Sequence, residues 1–212
     1  AAPDVHVLDD EKRFVMFFHC DTECVGHQGS IAVSDDGITW QSAGYNIRIP
    51  AYFVVKKAID GKYYGVGKKN QIFRSDSMIT ERGTLKYHDK YAMIYEIPDD
   101  PIEGIKYARH SSIRLVEDTM YVFYSNRGDT LEHLKVIKII NFTDPNTENW
   151  VVSEGKSLLR PEYDWEGVNN PILPSSGGNL GKHELRDPKV YTVENQDYIC
   201  YSIAGESGIA IA

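Results

Sequence analysis

Cysteine is scarce in this chain, and the three present stand at positions 20, 24 and 200. An odd count excludes a fully paired disulfide framework. Cys20 and Cys24 have a zinc-like spacing, but no second Cys/His pair completes a metal site, so thiols are expected instead. Basic residues are the minority charge: 23 Lys and Arg against 31 Asp and Glu leave a net charge of −8. No Lys/Arg stripe runs along the chain. Nucleic acid is therefore not an expected partner, because phosphate backbones are held by clustered cations.

Long hydrophobic runs are missing too. None exceeds Phe14-Val15-Met16-Phe17-Phe18, far short of the roughly 20 residues a membrane-spanning helix needs. The opening residues carry Asp4, Asp9 and Asp10, which does not read as a signal peptide. No membrane partner is expected. Helical periodicity is almost absent; only 86–94 and 129–135 offer a turn or two of helix.

What the chain does have is sheet-forming residues. Its 212 residues are enough for one domain with a core. Tyrosine, at 14, outnumbers phenylalanine two to one. Tyrosine packs on a strand while keeping a hydroxyl free for a partner. A pattern of strand, acidic turn and strand occurs four times, over 5–18, 52–66, 112–125 and 189–202. The turns are Asp9-Asp10-Glu11, Asp60-Gly61, Glu117-Asp118 and Glu194-Asn195, each of which suits a tight hairpin. A further strand follows each hairpin, at 30–33, 71–75, 136–140 and 208–211. In the first copy Ser34-Asp35-Asp36-Gly37-Ile38-Thr39-Trp40 makes a structural turn, with Trp40 expected between blades.

Antiparallel units recurring every 45–75 residues or so predict an all-β, five-bladed β-propeller with about four blades visible in this chain. Residues 1–212 read as a single propeller domain that is incomplete at both ends. Residues 160–183, rich in Pro, Gly, Asn and Ser, read as a long loop, and long loops are often functional. Asn141-Phe142-Thr143 matches a glycosylation sequon, which matters only in a secretory setting. Localisation and oligomeric state are left open.

The inner strands of a propeller line its channel, and ligands sit at one mouth. Polar residues at inner-strand entries are therefore the candidate site: Asp4 and His6, Tyr52, Arg109 and His110, then Glu184, Arg186 and Asp187. Asp4 follows Pro3 and Asp187 precedes Pro188, which restricts the local backbone and helps aim both carboxylates. Arg186 is either a counter-ion for Asp187 or a substrate clamp. His19 lies on a second strand near the same end. Glu132 and Glu206 occupy equivalent loops between second and third strands, and either is a candidate general acid if its environment raises its pKa. On the long loop, Glu162, Asp164 and Glu166 flank Trp165, which either stacks on a sugar face or fixes the loop to the core. No cofactor is expected, although the Asp and His residues at the channel would suit a divalent cation held through carboxylates and water.

Asp4-Val5-His6, Arg109-His110, Gly128-Asp129 with Glu132, and Glu184-Leu185-Arg186-Asp187-Pro188 together resemble the motifs of five-bladed β-propeller glycosidases. Those comprise the arabinanase and xylosidase type (glycoside hydrolase family 43) and the invertase and levansucrase type. The last motif, with Tyr201 to Ala212, is similar to the final blade of uncharacterised glycosidase-like propeller proteins from bacteria. The resemblance implies a glycoside hydrolase that acts on a poly- or oligosaccharide through paired carboxylates at the funnel. Asp187 matches the Arg-Asp-Pro aspartate that orients substrate or stabilises the transition state. Asp4 matches the base, and Glu132, Glu184 and Glu206 compete for the acid. The order of the motifs departs from the invertase type. The alternative is a non-catalytic carbohydrate-binding propeller. A protein-interaction propeller of the WD type lacks its recurring Gly-His and Trp-Asp signatures.

Overall fold

A computed structural model describes residues 3–8, 12–19, 29–44, 49–78, 92–97, 107–173 and 180–212. Among the described residues, sixteen strands form four antiparallel sheets arranged as propeller blades. The first sheet contains β1 (Asp4–Leu8), β2 (Arg13–His19), β3 (Gly29–Ser34) and β4 (Gln41–Gly44). The second contains β5 (Val54–Lys57), β6 (Tyr63–Gly67), β7 (Gln71–Ser75) and β8 (Ala92–Glu96). The third contains β9 (Tyr107–Val116), β10 (Thr119–Arg127), β11 (Leu134–Ile140) and β12 (Val151–Val152), with β13 (Lys156–Leu159) also on β11. The fourth contains β14 (Arg186–Val193), β15 (Gln196–Ile203) and β16 (Gly208–Ile211).

Alternation builds these strands. On β2, Arg13, Val15, Phe17 and His19 are buried while the residues between them are half-buried, the period of two that places alternate side chains on opposite faces. The turns at Asp60-Gly61, Glu117-Asp118 and Glu194-Asn195 fall where the sequence predicted them, and Asp9-Asp10-Glu11 lies outside the described residues. Between β14 and β15, Glu194 (φ 49°) and Asn195 (φ 66°) are both left-handed, which matches the strands' twist.

The apolar residues gather in three clusters, each between successive sheets. Val15, Phe17 and Ile31 meet Phe53, Val55 and Phe73. Tyr64, Val66 and Ile72 meet Ile113, Met120 and Val122. Leu134 meets Leu185, Val190, Ile199 and Tyr201. Buried face-to-face packing of twisted sheets is what holds blades in a ring.

Polar bonds fasten the inner strands to one another and, through Asn70, to the 3-10 turn between β6 and β7. The Val55 N–H donates to Asp4 Oδ2 at 2.9 Å. Ser111 Oγ donates to Asn70 Oδ1 at 2.9 Å. The Val190 N–H donates to Ser112 Oγ at 2.9 Å. Lys189 Nζ donates to Asp4 Oδ1, joining the last inner strand to the first.

Three details differ from the sequence reading. The suggested helical turn at 86–94 ends in strand, because Ala92–Ile94 pairs with β7; the rest of that stretch lies outside the described residues. Residues 129–133 are irregular, with bends at Thr130 and Leu131, and β11 begins at Leu134, so no helical turn occurs there. The only helical features among the described residues are 3-10 turns at Lys68–Asn70, Thr147–Asn149 and Asp164–Glu166. The turn after β3 is structural as expected: Asp36 Oδ1 accepts from the Ile38 and Thr39 N–H groups at 2.8 and 2.7 Å. Those bonds hold its carboxyl pKa down at about 2.

Candidate active site

The site begins with a backbone irregularity shared by three blades. Tyr52, His110 and Asp187 have φ values of 63°, 46° and 52°, in the left-handed region that non-glycine residues rarely adopt. Each stands two residues before a residue in regular register: Val54 opposite Val66, Ser112 opposite Phe123, and Lys189 opposite Cys200. In β9 and β14 the register shifts at this point, the mark of a β-bulge. The bulge turns the residue's side chain away from the pleat. Strain of this kind costs roughly 1–3 kcal/mol per residue and persists where surrounding structure over-determines it.

The side chains of these three left-handed residues come together. The Tyr52 and His110 rings lie 3.8 Å apart, and His19 packs edge-on against Tyr52 at 4.5 Å. His110 Nδ1 is 3.4 Å from Asp187 Oδ1. Ser202 Oγ donates to Asp187 Oδ2 at 3.2 Å. Burial pushes the Asp187 carboxyl pKa up, against Arg109, the Ser202 bond and Arg186, which lower it. Burial also drives His110 down to about 3, helped by the positive charges of Arg109 and His19. His110 is thus neutral at ordinary pH. Asp187 keeps 26% of its side chain exposed, so it is both desolvated and reachable.

Behind this trio lies a buried ionic network. Arg109 makes a two-pronged pair with Glu132, Nε to Oε1 at 2.9 Å and Nη2 to Oε2 at 2.8 Å. Ser125 Oγ donates to the same Oε1 at 2.6 Å, and Arg186 Nε lies 3.4 Å from Oε2. Burial works against the charge on Arg109, yet Glu132 holds its pKa above the ordinary value. Arg186, fully buried, also pairs with Glu184 and reaches Glu206 Oε1 at 3.3 Å. Burial raises the Glu184 pKa, and Arg186 only partly offsets this. Glu132 and Glu184 have no exposed surface, whereas the Glu206 side chain is 44% exposed.

Asp4 and His6 stand elsewhere. His6 Nε2 donates to Asp4 Oδ2 at 2.7 Å, and Asp4 is 2% exposed. Asp4 is the first paired residue of β1, opposite Phe17. Through Val55 and Lys189 it is level with the regular ladders. That places it about two residues, or roughly 7 Å, below the bulged layer. Burial opposes its charge, but the His6 bond and Lys189 prevail and bring its pKa to about 2.

The long loop carries Tyr163 and Trp165, stacked with centroids 5.3 Å apart and planes 5° apart, both more than half exposed. Trp165 does not fix this loop to the core; Glu166 does. Its Oε1 accepts from the Tyr201 hydroxyl at 2.8 Å, and its Oε2 from the Glu162 and Tyr163 N–H groups at 2.7 and 3.2 Å. Among the described residues, no three His, Cys, Asp or Glu side chains are grouped to hold a metal ion. Cys20 and Cys24 lie outside the described residues, and Cys200 is a half-buried free thiol.

Sequence reasoning missed Ser125, Ser202 and Lys189. A signal for the serines was present: Tyr124-Ser125 and Tyr201-Ser202 recur at the ends of two second strands, and each hydroxyl serves a carboxylate.

No family model matches the chain. An uncharacterised protein of Acanthamoeba polyphaga mimivirus is 28% identical over 216 residues, across 99% of this chain and 60% of that protein. The chain therefore spans three fifths of the length of this relative. The fold is shared with solved propeller glycosidases. An α-L-arabinanase of Cellvibrio cellulosa superimposes with a TM-score of 0.64 at 13% identity, covering 99% of this chain and 72% of that one. An endo-1,4-β-xylanase of Bacteroides thetaiotaomicron gives 0.62 at 14%, covering 100% and 66%. A thermostable family-43 glycoside hydrolase gives 0.61 at 16%, covering 100% and 68%. At these identities the likeness establishes the five-bladed propeller architecture, of which four sheets are seen here.

Proposed function

We propose that residues 1–212 belong to a single propeller domain that binds a poly- or oligosaccharide at the mouth formed by Tyr52, His110 and Asp187, and hydrolyses it. The observation that carries this reading is Asp187: a desolvated yet reachable carboxyl, held at a left-handed bulge beside a neutral imidazole. Glycoside hydrolysis needs one carboxyl to protonate the leaving oxygen and another to activate water or attack the anomeric carbon. Asp187 is one member of that pair. Glu206 is the better second member, because Glu132 has both oxygens engaged and no exposed surface. Tyr52, His19 and His110 supply ring faces and edges for the sugar, and Arg109, Arg186 and Glu184 brace the carboxylates. The Tyr163–Trp165 pair offers a flat apolar face for an outlying sugar ring. Asp4 and His6 act as a fastening of the inner strands rather than as reacting groups.

A non-catalytic sugar-binding propeller is favoured by one observation: Glu206 is tied to Arg186, which competes with a proton-donor role. Hydrolysis of arabino- and xylo-oligosaccharides by the wild type and Asp187→Asn, with calorimetric binding in parallel, separates the two. Loss of turnover with retained binding in Asp187→Asn supports hydrolysis. Binding without turnover in both supports the second reading. Absence of any glycan binding overturns both.

A further inference from the structure

The two ends of the inner strands differ in charge. At the mouth the residues are Tyr52, His110 and Asp187. Four to five residues further along β5, β9 and β14, roughly 13–17 Å away at strand rise, a cleft of about 200 Å³ opens between the same strands. Lys56 and Lys57 on β5 and Arg114 on β9 line it, with Tyr191 and Thr192 on β14. Its walls are Ile113, Leu115 and Val190, an apolar setting that strengthens any charge interaction inside.

The local charge balance reverses that of the whole chain. Two carboxylates approach the cleft, and each already has a cation. Asp197 accepts from Arg114 Nε at 2.8 Å, and Asp4 accepts from Lys189. Lys57 lies over the Tyr63 ring at 5.7 Å. Lys56 is left half-buried, with no carboxylate within ion-pair distance among the described residues. Its ammonium pKa is lowered, first by burial and then by Lys189 and Arg114, against the attraction of Asp4. Three cations thus line the cleft, and the two carboxylates near it are already paired, Asp197 with Arg114 and Asp4 with Lys189, in a protein whose net charge is −8. Such crowding of like charge beside apolar walls is unfavourable unless an anion relieves it.

We propose that this cleft is an anion site that takes a phosphate group, free or as the monoester of a small molecule. Phosphate matches the donors: ammonium and guanidinium groups arriving from separate strands need an acceptor with several oxygens and a double negative charge. The volume is below the roughly 300–1,000 Å³ of pockets that enclose drug-sized ligands, which suits a small ion. The cations come from β5 and β9, so no basic stripe marks them in the sequence.

Isothermal titration calorimetry with inorganic phosphate and, separately, glycerol phosphate tests this on the full chain. The expected result is saturable binding of one or both, weakened at least tenfold in Lys56→Gln and unchanged in Lys62→Gln, a lysine outside the cleft whose ammonium pairs with Asp76. A preference for either probe identifies the source of the phosphate group. Asp187→Asn should bind phosphate like the wild type, which keeps this test separate from that of the mouth. If neither probe binds, or if Lys56→Gln binds as tightly as the wild type, the site is refuted. Thermal unfolding without phosphate, showing Lys56→Gln at least as stable as wild type, confirms that any loss is not misfolding.

Discussion

Asp4 and Lys189 stand 185 positions apart in the chain and form an ion pair between its first and last inner strands. The pair is reinforced by His6 and by the backbone N–H of Val55. Its pH dependence follows from the carboxyl pKa, which drops from 3.8 to about 2 on folding. A depressed carboxyl stabilises the fold above its unfolded pKa and ceases to do so as pH falls through its folded one. The stabilisation is therefore complete above about pH 4 and lost towards pH 2, and amounts to about 2 kcal/mol. Asp4→Asn should lower the unfolding free energy by that much at pH 7 and by little at pH 2. Urea denaturation at both pH values checks this; an equal deficit at the two would contradict it.

His110 has the opposite kind of group and the same direction of effect. Its folded pKa of about 3 lies below the ordinary 6.5, so the unfolded chain takes up a proton first as pH falls. Stability should decline between pH 6.5 and 3 on this account alone. In an NMR titration one histidine ring should show no transition between pH 8 and 4. The variant His110→Asn, whose new side chain tolerates a left-handed backbone, should flatten the acid limb of the melting-temperature profile. A His110 midpoint near 6.5 would reject the assignment.

Glu132 and Glu206 both touch Arg186, one fully buried and one exposed. Breaking a buried pair strands the remaining charge and typically costs about 3–5 kcal/mol; an exposed pair contributes about 0–1 kcal/mol. Glu132→Gln should therefore be severely destabilised and Glu206→Gln nearly neutral in chemical denaturation. Similar losses in both would mean that burial does not govern the network.

Gly65 is pressed against the ring of Phe53, so an added Cβ would collide with it. Gly65 lies on β6 and Phe53 immediately precedes β5, where it is 3% exposed. Gly65→Ala should cost about 1–3 kcal/mol through overpacking. The double variant with Phe53→Leu should recover part of the loss, and strictly additive losses would argue against the contact.

The architecture was legible because hairpins carry local signals: Asp60-Gly61 and Glu194-Asn195 mark turns, and β-branched runs flank them. The cluster of Tyr52, His110 and Asp187 left a trace in the sequence, since each is polar where a plain core strand would be apolar. What could not be read was depth. Asp4 resembles Asp187 in its proline neighbour, yet regular pairing with Phe17 puts it below the bulged layer. The role of Glu166 was equally hidden, because its partners Tyr201 and Glu162 are set by how the loop folds back, not by spacing. The fates of Glu132 and Glu206 separated for the same reason: equivalent loops bury one and expose the other.

The left-handed backbone at Tyr52, His110 and Asp187 limits how this protein can diversify. Few residues other than glycine accept that conformation without cost, and asparagine, aspartate and histidine are foremost among them. Most substitutions at these positions would have to overcome backbone strain before any new chemistry could be selected. Sequence change is therefore channelled to the connecting loops, while these three positions favour amide, carboxylate and imidazole side chains, Tyr52 being the exception.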